Sequence, residues 1–259
     1  MVTAGIDIGH ESVTVVILHE DRILGHGTFV ISGEVVAAST LAFEETLERL
    51  GIARDGIARI FATGIGRENV ALADGHRTPM LSHARGAHWW FAGARTVVDV
   101  GAEGSRVMRC DAHGNLTNFA LNDKCAAGSG VFLESVAEML DVPLADMGGL
   151  SLSGSGRVVL TSTCAVFAES EIVAEIHRGS PRADILRGVH ESIVSKIAVM
   201  SRRVGIEPDL VLTGGVARNV GVVQALREQL HVDVAVPAHP EIAGALGAAL
   251  LARESAGAA

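Results

Sequence analysis

The sequence is poor in aromatic residues, cysteine and basic clusters, and each shortage excludes a class of protein. Its 259 residues contain seven Phe, two Trp, three Cys and no Tyr. The core must therefore be built from Ala, Val, Ile and Leu, and an odd cysteine count argues against a disulfide framework. The net charge is −9 and Lys and Arg are not clustered, which argues against nucleic acid as a partner.

Long apolar runs are also missing. The longest, such as residues 243–252, fall far short of the ~20 residues that span a bilayer. The first strand-like segment, residues 2–8, contains Asp7, which signal and transit peptides do not favour. We therefore expect a cytoplasmic protein without a membrane or nucleic-acid partner.

What the sequence does contain is an α/β pattern with an internal duplication. Apolar, β-branched runs alternate with Ala-rich segments that Gly residues punctuate. Residues 5–9 (GIDIG) and 97–101 (VVDVG) share one pattern, in which a buried strand carries an Asp and ends in a Gly turn. This predicts two related halves, residues 1–94 and 95–259. Helices are predicted over residues 39–50, 82–94, 129–140, 165–177, 182–204, 220–230 and from 243.

The two Asp-x-Gly turns have the chemistry of a phosphate and magnesium site. The carboxylates of Asp7 and Asp99 can coordinate hydrated Mg²⁺, while backbone N–H groups at Gly9 and Gly101 approach phosphate oxygens. The alternative for either turn alone is an ordinary hairpin capped by an Asp. Two copies, with a Gly-Gly turn at residues 214–215 after a third apolar strand, favour the phosphate site.

Together these segments resemble the actin, Hsp70 and sugar-kinase superfamily. The resemblance implies two ribonuclease H-like halves with a nucleotide cleft between them. It places Asp7 and Gly9 in a first phosphate loop, and Asp99 and Gly101 in a second. The Gly-Gly turn at 214–215 is expected to lie against the adenosine.

The cysteines suggest a second kind of site. Cys125 and Cys164 each precede a predicted helix, where the helix dipole stabilises a thiolate and lowers its pKa; Ser162 or Thr163 is the expected N-cap before Cys164. Two thiolates are half of what a [4Fe–4S] cluster generally takes, so a two-fold axis would let two protomers complete one cluster. The alternative is a pair of small buried apolar residues. Cys110, within a predicted strand, is expected to be structural.

Four longer motifs carry a more specific resemblance: residues 122–130, 162–171, 214–219 and 244–249. They are similar to the activators of 2-hydroxyacyl-CoA dehydratases and the ATPase subunits of benzoyl-CoA reductases. This resemblance implies an ATP-dependent electron donor whose dimer carries one bridging [4Fe–4S] cluster, with Cys125 and Cys164 as metal ligands. The dimer is either homomeric or formed with a related ATPase subunit. Implied partners are an acyl-CoA reductase or dehydratase component and a ferredoxin or flavodoxin.

The same resemblance assigns the remaining site residues. Asp7, Asp99 and Glu103 are the implied catalytic residues. The residues expected to contact ATP and Mg²⁺ are Gly9, Ser12, Thr14, Gly101, Ala102, Gly214, Gly215, Asn219, Gly244 and Gly247.

Two departures from the family pattern bear on activity and branch. Activators usually carry a Lys where this sequence has Thr14, so one phosphate partner is missing. Residues 101–104 are Gly-Ala-Glu-Gly, where many activators have Gly-Gly-Gln-Asp. Glu103 either orients the attacking water or is a solvated turn residue. This variant and residues 83–86 slightly favour the benzoyl-CoA reductase branch, with a homodimeric dehydratase activator as the alternative.

Two other functions compete with an electron-donating ATPase. A small-molecule kinase needs a substrate pocket with a catalytic base, and no insertion looks large enough to build one. An ATP-gated iron–sulfur scaffold or sensor would bind both cofactors without transferring electrons, and Thr14 is compatible with it.

Overall fold

Two five-stranded sheets of identical topology form the core of the molecule. The computed structural model describes residues 1–123, 126–161 and 164–257. The first sheet has the order β3-β2-β1-β4-β5 and the second the order β10-β9-β6-β7-β8. The strands are β1 Val2–Ile8, β2 Ser12–His19, β3 Arg22–Val30, β4 Arg59–Gly64, β5 Gly75–His76, β6 Thr96–Val100, β7 Ser105–Cys110, β8 Leu116–Asn122, β9 Leu210–Thr213 and β10 Val234–Ala235.

Strand pairing repeats in the two sheets. β1 is antiparallel to β2 and parallel to β4, and β6 is likewise antiparallel to β7 and parallel to β9. The Asp-bearing strand is therefore central in each sheet. This confirms the predicted α/β class with two related halves.

Helices cover the sheets and are close to the predicted positions, with three differences. They are α1 Val35–Leu50, α2 Pro79–Trp90, α3 Gly130–Leu140, α4 Met147–Leu152, α5 Ala165–His177, α6 Arg182–Val204, α7 Val220–Leu230 and α8 Ala243–Gly257. The predicted start of α1 at Ser39 is wrong, since the helix begins at Val35. Glu34 before it makes no side-chain cap bond, so the sequence carries no capping signal at the true start. The predicted range of α2 is wrong because Thr78 caps the helix and Pro79 begins it. The short α4 was not predicted.

The last helix, α8, belongs to the first sheet by packing although it follows the second in sequence. It packs against β1, β4 and α2. A Cβ atom added to Gly5 would lie 1.9 Å from the Ala245 carbonyl oxygen, so β1 and α8 meet backbone to backbone. The division at residue 94 stays a prediction. α8 lies after this division in sequence but packs on the sheet before it. None of the helices in the described parts of the chain has the length and apolar character that crossing a membrane requires.

Candidate functional site

A cleft of about 350 Å³ lies between the two sheets, within the range of small-molecule sites. It collects most of the nucleotide and catalytic residues predicted from the sequence. Those lining it are Asp7, Gly9, Ser12, Thr14, Asp99, Gly101, Ala102, Glu103, Gly214, Gly215 and Asn219.

Two matching hairpin turns face each other across this cleft. The Gly9 N–H donates to the Ser12 carbonyl over 2.9 Å, and the Gly101 N–H donates to the Gly104 carbonyl over 2.8 Å. Each turn follows the strand that carries the aspartate. The two turns therefore bring carboxylates and glycine backbone to one place, as a phosphate and cation site requires.

His83 on α2 connects the two aspartates, a role that the sequence did not predict. Its Nε2 lies 3.8 Å from Asp7 Oδ2, and its Nδ1 lies 3.4 Å from Asp99 Oδ1 and 3.1 Å from Thr213 Oγ1. Arg106 donates from Nη1 to Asp99 Oδ2 over 2.6 Å. Because these partners are scattered along the chain, the sequence indicated residues 83–86 only as a feature of one family branch and gave His83 no role between the aspartates.

The electrostatics of Asp7 suit a bound cation. Burial raises the pKa of this carboxyl; His83 opposes the rise, Asp99 adds to it and Arg106 lowers it slightly. A divalent cation offsets the desolvation of the carboxylate, and Mg²⁺ is usually held by one or two carboxylates together with substrate phosphates. Asp7 fits that role, whereas Asp99 already accepts from Arg106.

Glu103 lies at the mouth of the cleft and pairs with the opposite loop. His10 Nδ1 is 2.8 Å from Glu103 Oε2, and both side chains are exposed. His10 is exposed and also lines the cleft. The water-orienting role of Glu103 stays a prediction.

The other end of the cleft combines apolar side chains with a capped helix. Leu133, Leu144 and Val216 line it, which suits a nucleobase. Asn219 is the N-cap of α7, and its Oδ1 accepts from the Gly221 and Val222 N–H groups over 3.0 and 3.2 Å.

Gly244 and Gly247 are not among the residues that line this cleft, and their contact with the nucleotide stays a prediction. A Cβ atom on Gly247 would be 1.7 Å from the Ser82 carbonyl oxygen, so this glycine allows α8 to touch α2. A Cβ atom on Gly244 would be 2.0 Å from Asp7 Oδ2. Both glycines therefore have a packing role, with Gly244 directly behind the Asp7 carboxylate.

The cysteine predictions have different outcomes. Cys125 lies outside the described residues. Cys164 is exposed and is the N-cap of α5, whereas Ser162 and Thr163, the predicted caps, lie outside the described residues. In the first turn of α5, Val166 and Phe167 are each 66 % exposed, so the helix that Cys164 caps begins with exposed apolar side chains. Cys110 is buried, and burial raises the pKa of its thiol to about 11, in agreement with a structural role.

A nucleotide-sized cleft between two duplicated halves, with facing carboxylate and glycine turns, defines an actin-like ATPase. The sequence matches the BadF/BadG/BcrA/BcrD ATPase family over residues 4–252. The chain belongs to this family.

Characterised relatives align with nearly the whole chain. The activator of lactoyl-CoA dehydratase from Anaerotignum propionicum is 39 % identical, covering 99 % of both chains. A benzoyl-CoA reductase subunit from Thauera aromatica is 34 % identical, covering 96 % of this chain and 92 % of its own. The solved activator of the 2-hydroxyisocaproyl-CoA dehydratase from Clostridium difficile, with bound ADPNP, superimposes with a TM-score of 0.94 at 36 % identity, covering 100 % of this chain and 96 % of that one.

These similarities support the dehydratase-activator alternative better than the benzoyl-CoA reductase branch. The dehydratase activators match this chain better than the benzoyl-CoA reductase relative. The variant at residues 101–104, which suggested the other branch, is too short to outweigh similarity along the whole chain.

Proposed function

We propose that this protein is the ATP-dependent activator of a 2-hydroxyacyl-CoA dehydratase and passes single electrons to it. The observation that carries the proposal is the exposed Cys164 at the start of α5, in a chain that also has the nucleotide cleft. A nucleotide site alone fits many ATPases, whereas an exposed cysteine at a helix N-terminus fits a metal ligand. The 39 % identity to a dehydratase activator supports the combination.

Cys125 and Cys164 from each of two protomers would hold one [4Fe–4S] cluster at a two-fold axis. When bound, the cluster supplies a low-potential electron. The apolar surface of Val166 and Phe167 beside Cys164 would exclude water at the junction of the protomers. A homodimer is the simplest assembly, because it needs no second gene product; a ferredoxin or flavodoxin would deliver the electron.

In the cleft, the turns at Gly9 and Gly101 would bind the phosphates, Asp7 would hold Mg²⁺, and Asn219 would lie near the nucleoside. Nucleotide binding would draw the two halves together and change the aim of the segments that hold the cysteines. The scale is attainable, since one electron over 100 mV corresponds to ~2.3 kcal/mol and ligand coupling commonly supplies ~1–3 kcal/mol.

Anaerobic purification with iron and sulfide analysis tests the cluster directly. We expect about four iron and four sulfide per dimer for the parent protein, as one [4Fe–4S] cluster requires, and loss of both in Cys125→Ser and Cys164→Ser. Cys110→Ser is the matched control, because this cysteine is buried, and it should retain the metal. A folded parent dimer that stays metal-free after reconstitution would refute the proposal.

Electron transfer then separates the activator from its alternatives. With the cluster present, ATP-dependent reduction of a 2-hydroxyacyl-CoA dehydratase component is expected. Transfer only to a benzoyl-CoA reductase component would move the protein to the other branch, and transfer to neither would favour an ATP-gated sensor. Phosphorylation of a small molecule by cluster-free protein would indicate a kinase.

A further inference from the structure

The long helix α6 contacts Asn219 in the lining of the cleft, a segment that precedes Cys164 and a segment that follows Cys125. Its contact with the cleft is His190, which is only 1 % exposed. His190 Nε2 lies 3.2 Å from the side-chain nitrogen of Asn219, the residue that caps α7 and lines the cleft. Any shift of Asn219 against a bound nucleoside therefore acts directly on α6.

The hydrogen bonds around His190 fix its protonation state. The Asn219 side-chain oxygen already accepts from the Gly221 and Val222 N–H groups, so its nitrogen donates and His190 Nε2 accepts. His190 Nδ1 then donates to Ser151 Oγ over 3.0 Å, and the Ser151 hydroxyl donates to the Gly148 carbonyl. Burial lowers the pKa of His190 to about 4, so the ring is neutral near pH 7. These hydrogen bonds therefore all run in one direction, from Asn219 through His190 of α6 to Ser151 and Gly148 of α4.

Toward its N-terminus, the same helix holds the segment that precedes Cys164. The Asp184 side chain accepts from the Gly156 N–H over 2.9 Å, and its carbonyl accepts from the Val158 N–H over 3.4 Å. A Cβ atom on Gly188 would be 2.2 Å from the Val158 carbonyl oxygen. Backbone at residues 156–158 is therefore seated on α6, a few residues before Cys164.

Further along, α6 packs against the 3₁₀ turn Ala126–Gly128, which directly follows Cys125 in sequence. A Cβ atom on Gly128 would lie 3.4 Å from Lys196 Cδ. From Asp184 to Lys196 the helix rises ~18 Å at 1.5 Å per residue. A single rigid element thus spans the nucleoside contact and the two cysteine segments.

We propose that α6 transmits nucleotide occupancy of the cleft to both cysteine-bearing segments, with His190 as the positioning residue at the nucleoside end. The proposal rests on the proposed function for its purpose, but not for its test. Packed helices shift as rigid bodies between discrete arrangements, so a displacement at His190 also moves the seats of residues 126–128 and 156–158. Coupling of this kind is reciprocal: a change at the cysteine segments alters nucleotide affinity by the same factor.

The test uses cluster-free protein, in which the exposed Cys164 reports its own surroundings. In a Cys125→Ser background, the rate at which a thiol reagent labels Cys164 is measured with and without saturating MgATP. Cys110 is buried and does not compete. We expect MgATP to change the labelling rate by about fivefold or more, the lower end of typical coupling.

Variants at the two ends of the link separate coupling from nucleotide binding. His190→Leu removes the acceptor for Asn219 and should abolish most of the MgATP effect on labelling, whereas His190→Gln keeps an acceptor and should restore it. Asp184→Ala breaks the cysteine end, so the labelling response should be lost although calorimetry still detects ATP binding. Val199→Ala, on an exposed position of α6, is the matched control and should respond like the parent background.

An unchanged labelling rate on adding MgATP to the parent background would overturn the proposal, as would a full response in both His190→Leu and Asp184→Ala. If His190→Leu does not fold by circular dichroism, or does not bind ATP, Asp184→Ala decides alone. Iron analysis of the anaerobic protein decides the proposed function separately, since a metal-free dimer can still show, or lack, the labelling response.

Discussion

In the first half of the molecule Asp7 lies opposite Thr14 across the β1–β2 pair, whereas in the second half Asp99 lies opposite Arg106 across the β6–β7 pair. The register is the same, but only the second half places a cation there. Asp99 is 2 % exposed and its charge is balanced by Arg106 at 2.6 Å. Thr14 offers Asp7 no charge and instead shares a hydrogen bond with Thr28.

This difference indicates that the two carboxylates, although duplicated in the fold, have different roles. Asp99, whose charge Arg106 balances, is suited to a structural role. His83 contacts it and connects it to the other half. Asp7, with its pKa raised by burial, remains available for a cation that arrives with the nucleotide. We infer that Asp99 organises the cleft while Asp7 binds metal.

Neutralising each aspartate in turn is the strongest test of whether Asp7 and Asp99 have different roles. Asp7→Asn should lower the rate of magnesium-dependent ATP hydrolysis by about 10³-fold, the upper range for losing one electrostatic contact, or ~4 kcal/mol. Its raised pKa means that the folded protein holds the proton more tightly than the unfolded chain does. Stability therefore falls as pH rises from the ordinary value of 3.8 toward the folded-state pKa.

Asp7→Asn should therefore melt at the same or a higher temperature than the parent at pH 7 without Mg²⁺. Asp99→Asn should lower both activity and melting temperature, because it weakens the bond to Arg106. Asp55→Asn, on an exposed turn, is the control. Equal melting temperatures for the two cleft variants would remove the distinction between the aspartates.

The residues opposite the aspartates, Thr14 and Arg106, should also differ in how much they stabilise the protein. Arg106→Met leaves the Asp99 carboxylate buried without its cation, which should reduce the free energy of unfolding by about 3 kcal/mol. Thr14→Val loses only the hydrogen bond to Thr28, worth about 1 kcal/mol. Urea denaturation measures both losses, and similar values would show that Arg106 does not stabilise the second half through Asp99.

Two matched glycines test whether the backbones are equivalent where the side chains are not. Gly64 and Gly214 have φ of +89° and +87°, and a Cβ atom would lie 2.2 Å from the Ile8 carbonyl oxygen and 2.3 Å from that of Val100, respectively. Alanine at either position should cost about 2 kcal/mol through strain and overpacking.

Gly33 is the control for these two, because it has φ of +83° but open space around it. Gly33→Ala should cost only the strain, about 1 kcal/mol. Thermal unfolding gives all three values. Unequal losses for Gly64→Ala and Gly214→Ala would mean that the two halves differ in backbone packing as well as in charge.

A gain of function is expected from giving the first half the cation it lacks. Thr14→Lys places an amine at the position equivalent to Arg106, in the lining of the cleft. ATP should then bind up to about tenfold more tightly, or ~1.4 kcal/mol. Thr14→Met, of similar length but uncharged, is the control, and equal affinities for the two variants in calorimetry would contradict an electrostatic gain.

The parts of the fold that could be predicted are those whose signals are local. The two Asp-x-Gly turns indicated the duplicated sheets, and helical spacing located α5 and α6 correctly. His83 could not be found in this way, because its partners Asp7, Asp99 and Thr213 come from three distant strands. The seat of α8 was equally hidden, since its small apolar residues fit either sheet.

The same distinction between local signals and contacts of distant residues applies to the site. Residues of the glycine turns were placed correctly in the cleft because turn chemistry is encoded within a few positions. The close packing at Gly244 and Gly247 was not predicted, because a glycine that allows tight packing looks the same in sequence as one that approaches a ligand. The preferred branch has less support than its alternative for a related reason: the preference rested on two short segments, whereas the similarity to dehydratase activators covers the whole chain.

The late position of α8 has a consequence for how the protein is made. One face of β1 is covered by α8, which follows the second sheet in the sequence. The first sheet therefore stays open on that side until α8 has been synthesised, and its contacts join residues that are far apart in the sequence, a topology that slows folding. Removing the last helix would expose Val16 and Leu18, which pack with Leu246 and Leu250, and leave a chain that aggregates rather than a smaller ATPase.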